Sequence, residues 1–242
     1  MNGAALYIKK QKEDVFVVSL YVDDIIIAGN NVYLINTLKE NMKNEFEMTD
    51  LGLLNYFLGM KVIQDNHGIF LSQKKYANKL IDKFGMKGSK SISTPLTPKG
   101  KEVEDDKEYG DPTKYRSNVR GLSYLCTSRP DVMYASSYLL RYMSSPRVKH
   151  YQEAKRVLRY VKGTSSFGVL FISVDTPKLI RYSDSDWGGS TKDKKSTSGY
   201  AFNLGSAMFC WQSSKQQTVA QSTTEANYIS ICAATNQAIW LQ

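Results

Sequence analysis

Apolar and polar positions fall into three regimes along the chain. From Leu6 to Ala28 apolar residues come in short dense runs, Leu6-Tyr7-Ile8, Val15 to Val22 and Ile25 to Ala28. Gln11 to Asp14 and Asp23-Asp24 break them. Runs of this length, rich in β-branched and aromatic residues and bounded by turn residues, predict paired strands. Asp23 and Asp24 then sit at the tip of the second pairing. Gly29-Asn30-Asn31 closes the last run, and either Asn suits a helix N-cap. Leu34, Ile35, Leu38, Met42 and Phe46 recur at helical spacing, which predicts an amphipathic helix over 32–47.

A second hairpin is predicted from 55–63 and 69–71, across the turn cluster Asp65 to Gly68. Within Leu58-Gly59-Met60 the glycine fits a bulge, which serves strand packing or the close approach of another backbone. Tyr76, Ala77, Leu80, Ile81 and Phe84 mark a short helix ended by Gly85, with Lys74, Lys75, Lys79 and Lys83 outward. Residues 86–111 are dominated by Ser, Pro, Gly and charge and read as a linker. Pro112, Pro130 and Pro146 each open a helix. In the third of these, Arg147, Lys149, Lys155, Arg156, Arg159 and Lys162 face one acid, Glu153. Such a surface suits solvent alone or a nucleic-acid backbone. The last third turns to strands at 168–174, 179–183, 199–204 and 207–212, then a helix over 223–241.

Composition narrows the class. A hydrophobic share of 42% in 242 residues supplies an ample core. The formal charge of +9 favours a polyanionic partner without bearing on fold. The three cysteines, Cys126, Cys210 and Cys232, are far apart and in no paired spacing, so no disulfide is expected. No apolar stretch approaches the ~20 residues of a membrane helix, and the start shows no secretory pattern. An intracellular setting, cytoplasm or nucleus, is expected.

The candidate chemistry is acidic. Adjacent carboxylates at a hairpin tip repel one another, and a divalent cation relieves this; oxygen ligands favour a hard ion such as Mg²⁺ or Mn²⁺. An Asp pair is also an ordinary turn dipeptide. Near the other end, Asp184 and Asp186 fit a polar loop at a strand end. Ser222-Thr223-Thr224-Glu225 fits a capping box, in which the carboxylate serves only the helix end.

Longer strings decide between these. Tyr21-Val22-Asp23-Asp24 between apolar strands resembles the metal-binding hairpin of reverse transcriptases, and Leu20 to Asn30 resembles the copia type of long-terminal-repeat retrotransposons. Ser93-Thr94-Pro95-Leu96 and Arg156 to Thr164 match the same pattern. So do Tyr182 to Trp187, Lys195 to Tyr200 and Gln217 to Ala226, which resemble its ribonuclease H part. The resemblance covers residues 6 to 242 and implies an α+β chain. Its parts would be a partial reverse-transcriptase palm over 1–85, a linker over 86–111, a helical thumb or connection segment over 112–164 and a partial ribonuclease H-like α/β domain over 165–242.

The resemblance implies Asp23 and Asp24 as palm metal ligands, and Asp184 and Glu225 as ligands of the nuclease. Asn227 stands where that family usually has Glu. Leu58, Gly59 and Met60 would grip the primer strand, and the six cations of the basic helix would meet nucleic acid. The partners of the intact parent would be an RNA template, an RNA–DNA hybrid and deoxynucleoside triphosphates, with Mg²⁺ or Mn²⁺ as cofactor. A further Asp is expected upstream of the hairpin and another after the last helix. The expectation is therefore a piece of such a polyprotein with no polymerase activity and little nuclease activity alone. The alternatives are a catalytically dead remnant and a basic nucleic-acid-binding protein.

Overall fold

The computed structural model describes residues 6–97, 107–190 and 192–241. The start of the chain, read above as lacking a secretory pattern, and residues 98–106 of the expected linker lie outside them. The described chain forms two compact units that divide after Leu54.

The first unit is an antiparallel sheet in the order β1 (Leu6–Gln11), β2 (Asp14–Tyr21), β3 (Asp24–Gly29), with α1 (Val32–Glu45) against β3. Val18 stands between Tyr7 and Ile27, and Val17 between Ile8 and Ala28. Successive side chains point to opposite faces, so both faces of this sheet are apolar, the pattern of strands covered on two sides. Asn31 is the cap of α1, accepting from the amides of Tyr33 and Leu34 at 3.0 and 3.3 Å. Asn30 instead ties the end of β3 to β2, accepting from Val15 N and donating to Glu13 O, both at 2.9 Å.

The second unit begins with β4 (Tyr56–Phe57), β5 (Met60–Asp65) and β6 (Gly68–Ser72). The expected single strand over 55–63 is broken by a two-residue turn at Leu58-Gly59, with φ of 46° and 77°. Positive φ at both central positions gives a tight hairpin, so Gly59 serves a turn and not a bulge. The fourth strand of this sheet is β7 (Gly168–Ile172), antiparallel to β6 with Phe70 opposite Leu170. The expectation grouped this strand with the C-terminal part. Pairing across about a hundred residues leaves no local signal, and it draws both stretches into one unit.

Four helices follow in the expected order, α2 (Lys74–Lys83), α3 (Pro112–Leu125), α4 (Pro130–Leu140) and α5 (Val148–Gly163), but Pro146 stands ahead of the Arg147 cap of α5 and does not open that helix. They bury Leu80, Ile81, Tyr115, Val119, Leu122, Leu139, Val157 and Leu158 in one core. Asp111 caps α3 by accepting from Lys114 N at 2.8 Å. At the start of α4, Arg129 is only 2% exposed. Its guanidinium donates to Asp131 at 2.8 and 2.6 Å and to Thr164 O and Oγ1 at 2.8 and 2.7 Å. Four of the five N–H donors of that buried charge are met, as burial requires.

The last elements are β8 (Leu179–Ser185), β9 (Thr197–Leu204), β10 (Ala207–Lys215) and α6 (Thr223–Trp240). The sheet is antiparallel in the order β10-β9-β8, and α6 lies against β8 and β9 over Phe202, Ala234 and Ala238. Antiparallel sheets with separate helices make this an α+β chain. Among the described residues no helix is long and apolar enough to cross a membrane.

Candidate functional site

The tip of the β2–β3 hairpin lies one residue earlier than its sequence suggests. Tyr21 pairs with Asp24, so the turn is Val22-Asp23 and Asp24 already belongs to β3. Val22 takes φ of 53°. A β-branched residue there is a steric outlier that costs on the order of 1–3 kcal/mol. The consequence is two consecutive carboxylates, both exposed, neither with a described partner. Two oxygen-rich side chains free of other bonds fit a hard divalent cation. Among the described residues no cluster of three or more His, Cys, Asp or Glu is poised for a metal. The sequence singled out both Asp residues but not Val22, whose only signal was the two-residue gap between apolar runs.

In the second acidic set Asp184 lies in β8 and Glu225 in the first turn of α6. Ser183 and Ser185 of β8 face α6, bonding to Ser230 Oγ at 2.9 Å and to Asn227 Oδ1 at 2.8 Å. Asp184 between them gives the helix only its carbonyl, which accepts from Ser230 Oγ at 2.7 Å. Strand alternation turns its carboxylate to the other face. Glu225 forms half of the expected capping box: its N–H donates to Ser222 Oγ at 3.1 Å, while its carboxylate accepts from Gln221 N, one residue before the cap, at 2.7 Å. The helix position beside the end of β8 is therefore Asn227. Asp186 accepts from Thr197 N and holds the loop after β8 against β9.

The basic helix is partly engaged within the chain. Arg156 donates to Thr94 Oγ1 at 2.8 Å and Arg159 to Lys90 O at 2.7 Å. Lys162 donates to Lys87 O and Ser89 O at 2.6 Å each. Glu153 accepts from Thr97 N at 3.1 Å. Residues 87–97 of the expected linker thus form a strap along α5, with Met86 and Leu96 against the core. Lys155 lies 4.8 Å from the Tyr151 ring centre. Arg147 begins the helix, its N–H donating to His150 Nδ1 at 3.0 Å, and Lys149 follows in its first turn.

The turn at Leu58-Gly59-Met60 is closely approached, but by the chain itself. Tyr124 OH of α3 donates to Leu58 O, and a Cβ on Gly59 would stand 2.7 Å from that hydroxyl.

Comparison with known proteins agrees with this geometry. A family model described as reverse transcriptase (RNA-dependent DNA polymerase) matches residues 2–98. The chain is 35% identical over 242 residues to the retrovirus-related Pol polyprotein from transposon RE1 of Arabidopsis thaliana. It is 36% identical over 253 residues to the corresponding polyprotein from transposon TNT 1-94 of Nicotiana tabacum. All of the chain is covered in both, yet it spans only 16% and 19% of those polyproteins. An uncharacterized mitochondrial protein of Arabidopsis thaliana is 37% identical over 221 residues, 91% of this chain and 92% of that protein. No solved structure matches. The motif strings, the acidic hairpin and these relatives converge: the chain belongs to the reverse-transcriptase family, among the retrovirus-related Pol polyproteins of transposons.

Proposed function

We propose that this chain carries the metal-binding hairpin of an RNA-directed DNA polymerase, with Asp23 and Asp24 as the ligands of Mg²⁺ or Mn²⁺. The observation behind this is the strained turn at Val22, which holds two unpartnered carboxylates at consecutive positions. Strain at a β-branched residue persists where a site requires it. When bound, such an ion neutralises charge on phosphoryl oxygens. The chain's own part is to fix both carboxylates on a short ladder, so that neither has to be ordered when substrate arrives. Asp23, in the turn, is the principal ligand, and Asp24, anchored by its pairing with Tyr21, is its neighbour. An RNA template and deoxynucleoside triphosphates are the substrates this reading implies.

The test is a graft. Leu20–Gly29 replaces the metal-binding hairpin of an active reverse transcriptase, and primer extension is measured. The graft should extend primers, and Asp23→Asn should cut the rate by at least ~100-fold, about 2.7 kcal/mol of transition-state stabilisation. An inactive graft, or one indifferent to Asp23→Asn, overturns the assignment.

We assign the β8–β10 sheet with α6 to a ribonuclease H-like part. In support, an Asp-bearing strand, an antiparallel hairpin and a Glu-opened helix follow one another. The bonds of Glu225 and the presence of Asn227 beside β8 favour a second reading for this part alone, a catalytically silent remnant. Asp184 is then its surviving carboxylate.

A further inference from the structure

We propose that the open edge of β8, with the side of α6 above it, is a docking surface for a second copy of this chain. The two β8 strands pair antiparallel about a two-fold axis. Two three-stranded sheets then become one, with both α6 helices side by side on one face.

β8 ends its sheet, and Leu179 to Asp184 are all exposed. An open edge presents unpaired N–H and C=O groups, and proteins blunt such edges with lysines, short strands or a covering group. This chain does so elsewhere. β1 carries Lys9 and Lys10, β4 has two residues, and the amide of Ile172 at the end of β7 donates to Ser206 Oγ at 2.8 Å. Among the described residues β8 has none of these devices. Its sequence, Leu179-Ile180-Arg181-Tyr182-Ser183-Asp184-Ser185, holds no lysine, no proline and no net charge. The helix above it is neutral as well. From Ala226 to Leu241 there is no Asp, Glu, Lys or Arg, in a chain of net charge +9. Copies of so basic a chain repel one another, and a neutral face is where they can meet.

The register follows from the side chains. Facing residues of an antiparallel pair share a face of the sheet, so every allowed two-fold passes through one residue of β8. An axis at Arg181 or Asp184 sets like charges against each other. An axis at Ser183 leaves Leu179 and Ile180 outside the ladder. The axis at Tyr182, the middle of the strand, uses all 7 residues. It sets Tyr182 against its own copy, Ile180 against Asp184 and Arg181 against Ser183.

Ser183 and Ser185 face α6, so Ile180 and Tyr182 meet on the far face. On the near face α6 lies over β8 and β9. Its copy then lies two strand spacings away, ~10 Å, which matches the usual separation of packed helices, about 8–10 Å. Asn227, which accepts from Ser185, marks the β8 side of α6. Ile231, Ala234 and Ala238 follow it at the spacing of one helix seam. Ile231 is 54% exposed, and the two alanines leave room for its copy. Burying Leu179, Ile180, Tyr182, Ile231 and the strand edges in both copies removes on the order of 1,000 Å², the lower bound of a specific interface.

The test is sedimentation velocity of the whole chain from ~1 to ~100 µM, the range of a minimal interface. The mass should rise toward that of two chains. Tyr182→Lys sets two cations face to face and should weaken the dimer at least ~10-fold, and Tyr182→Glu should do the same. Tyr182 is 57% exposed, so both variants should keep the wild-type circular dichroism. An equimolar mixture of the two should dimerise again, because only there does Lys face Glu, and this separates pairing from folding. A wild-type chain of single mass throughout overturns the proposal. So does an undiminished dimer in Tyr182→Lys, a mixture that stays monomeric, or a mass that grows without limit, which a closed two-fold forbids. None of these outcomes bears on the hairpin reading.

Discussion

Replacing Val22 by Gly tests whether the hairpin tip is strained. Left-handed backbone costs an ordinary L-residue ~1–2 kcal/mol, and the branched Cβ of Val22 puts it toward the upper end. The side chain is 78% exposed, so its removal forfeits only ~0.5 kcal/mol of burial. Glycine's extra freedom in the unfolded chain costs ~0.5–1 kcal/mol. Gain and losses cancel to within about 1 kcal/mol. The control is Val17→Gly, in mid-strand between Ile8 and Ala28. That site has no strain to relieve and loses a half-buried side chain, ~1–1.5 kcal/mol on top of the glycine entropy. The total is about 2 kcal/mol. Amide hydrogen exchange at Ser19 and Ile26, which face each other as a hydrogen-bonded pair of the hairpin ladder, reads both. Protection should be nearly unchanged in Val22→Gly and drop about 30-fold in Val17→Gly. Equal losses in the two variants would refute the strain argument.

Two further predictions concern the second unit. Arg129→Ala leaves Asp131 and Thr164 without their buried donor and should cost ~3–5 kcal/mol in urea unfolding. Burial pushes the Asp131 carboxyl up, but hydrogen bonds from Arg129 and Tyr160 outweigh it and hold the group below the usual range. Its contribution is therefore complete above about pH 4 and fades as pH falls through the lowered folded value. Asp131→Asn should flatten that acid limb, and an unaltered limb would contradict the pairing. Burial also pushes the Cys126 thiol up to about 11, while Cys232 is exposed. With a disulfide reagent at pH 8, Cys232 should react at once and Cys126 only on unfolding. Early reaction of Cys126 would show that its core site opens.

Local chemistry made much of this chain legible. The Asn cap of α1, the prolines that open α3 and α4 and the Ser222 cap of α6 each act within a few residues, and each stands where the sequence put it. What escaped depends on distant partners. The 87–97 strap looks like a linker because its bonding groups are mostly carbonyls and hydroxyls, whose partners lie on α5 more than fifty residues on. The pairing of β7 with β6 is equally silent in sequence. Leu58-Gly59 carries no Asn-Gly or Asp-Gly signature of a tight turn, so an apolar run hid it. At the candidate site the carboxylates were visible as residue types. Their setting was not: Asp23 sits in a two-residue turn and Asp24 opens β3, while the carboxylate of Glu225 bonds to the backbone at the start of α6.

The central claim is that Asp23 and Asp24 bind a divalent metal, and Mn²⁺-induced relaxation of the backbone amide signals tests it most directly. Weak, saturable broadening centred on Tyr21 to Ile25 is expected, displaced by Mg²⁺ and lost in Asp23→Asn with Asp24→Asn. Broadening that spreads over all surface carboxylates alike, or that survives both substitutions, would contradict it.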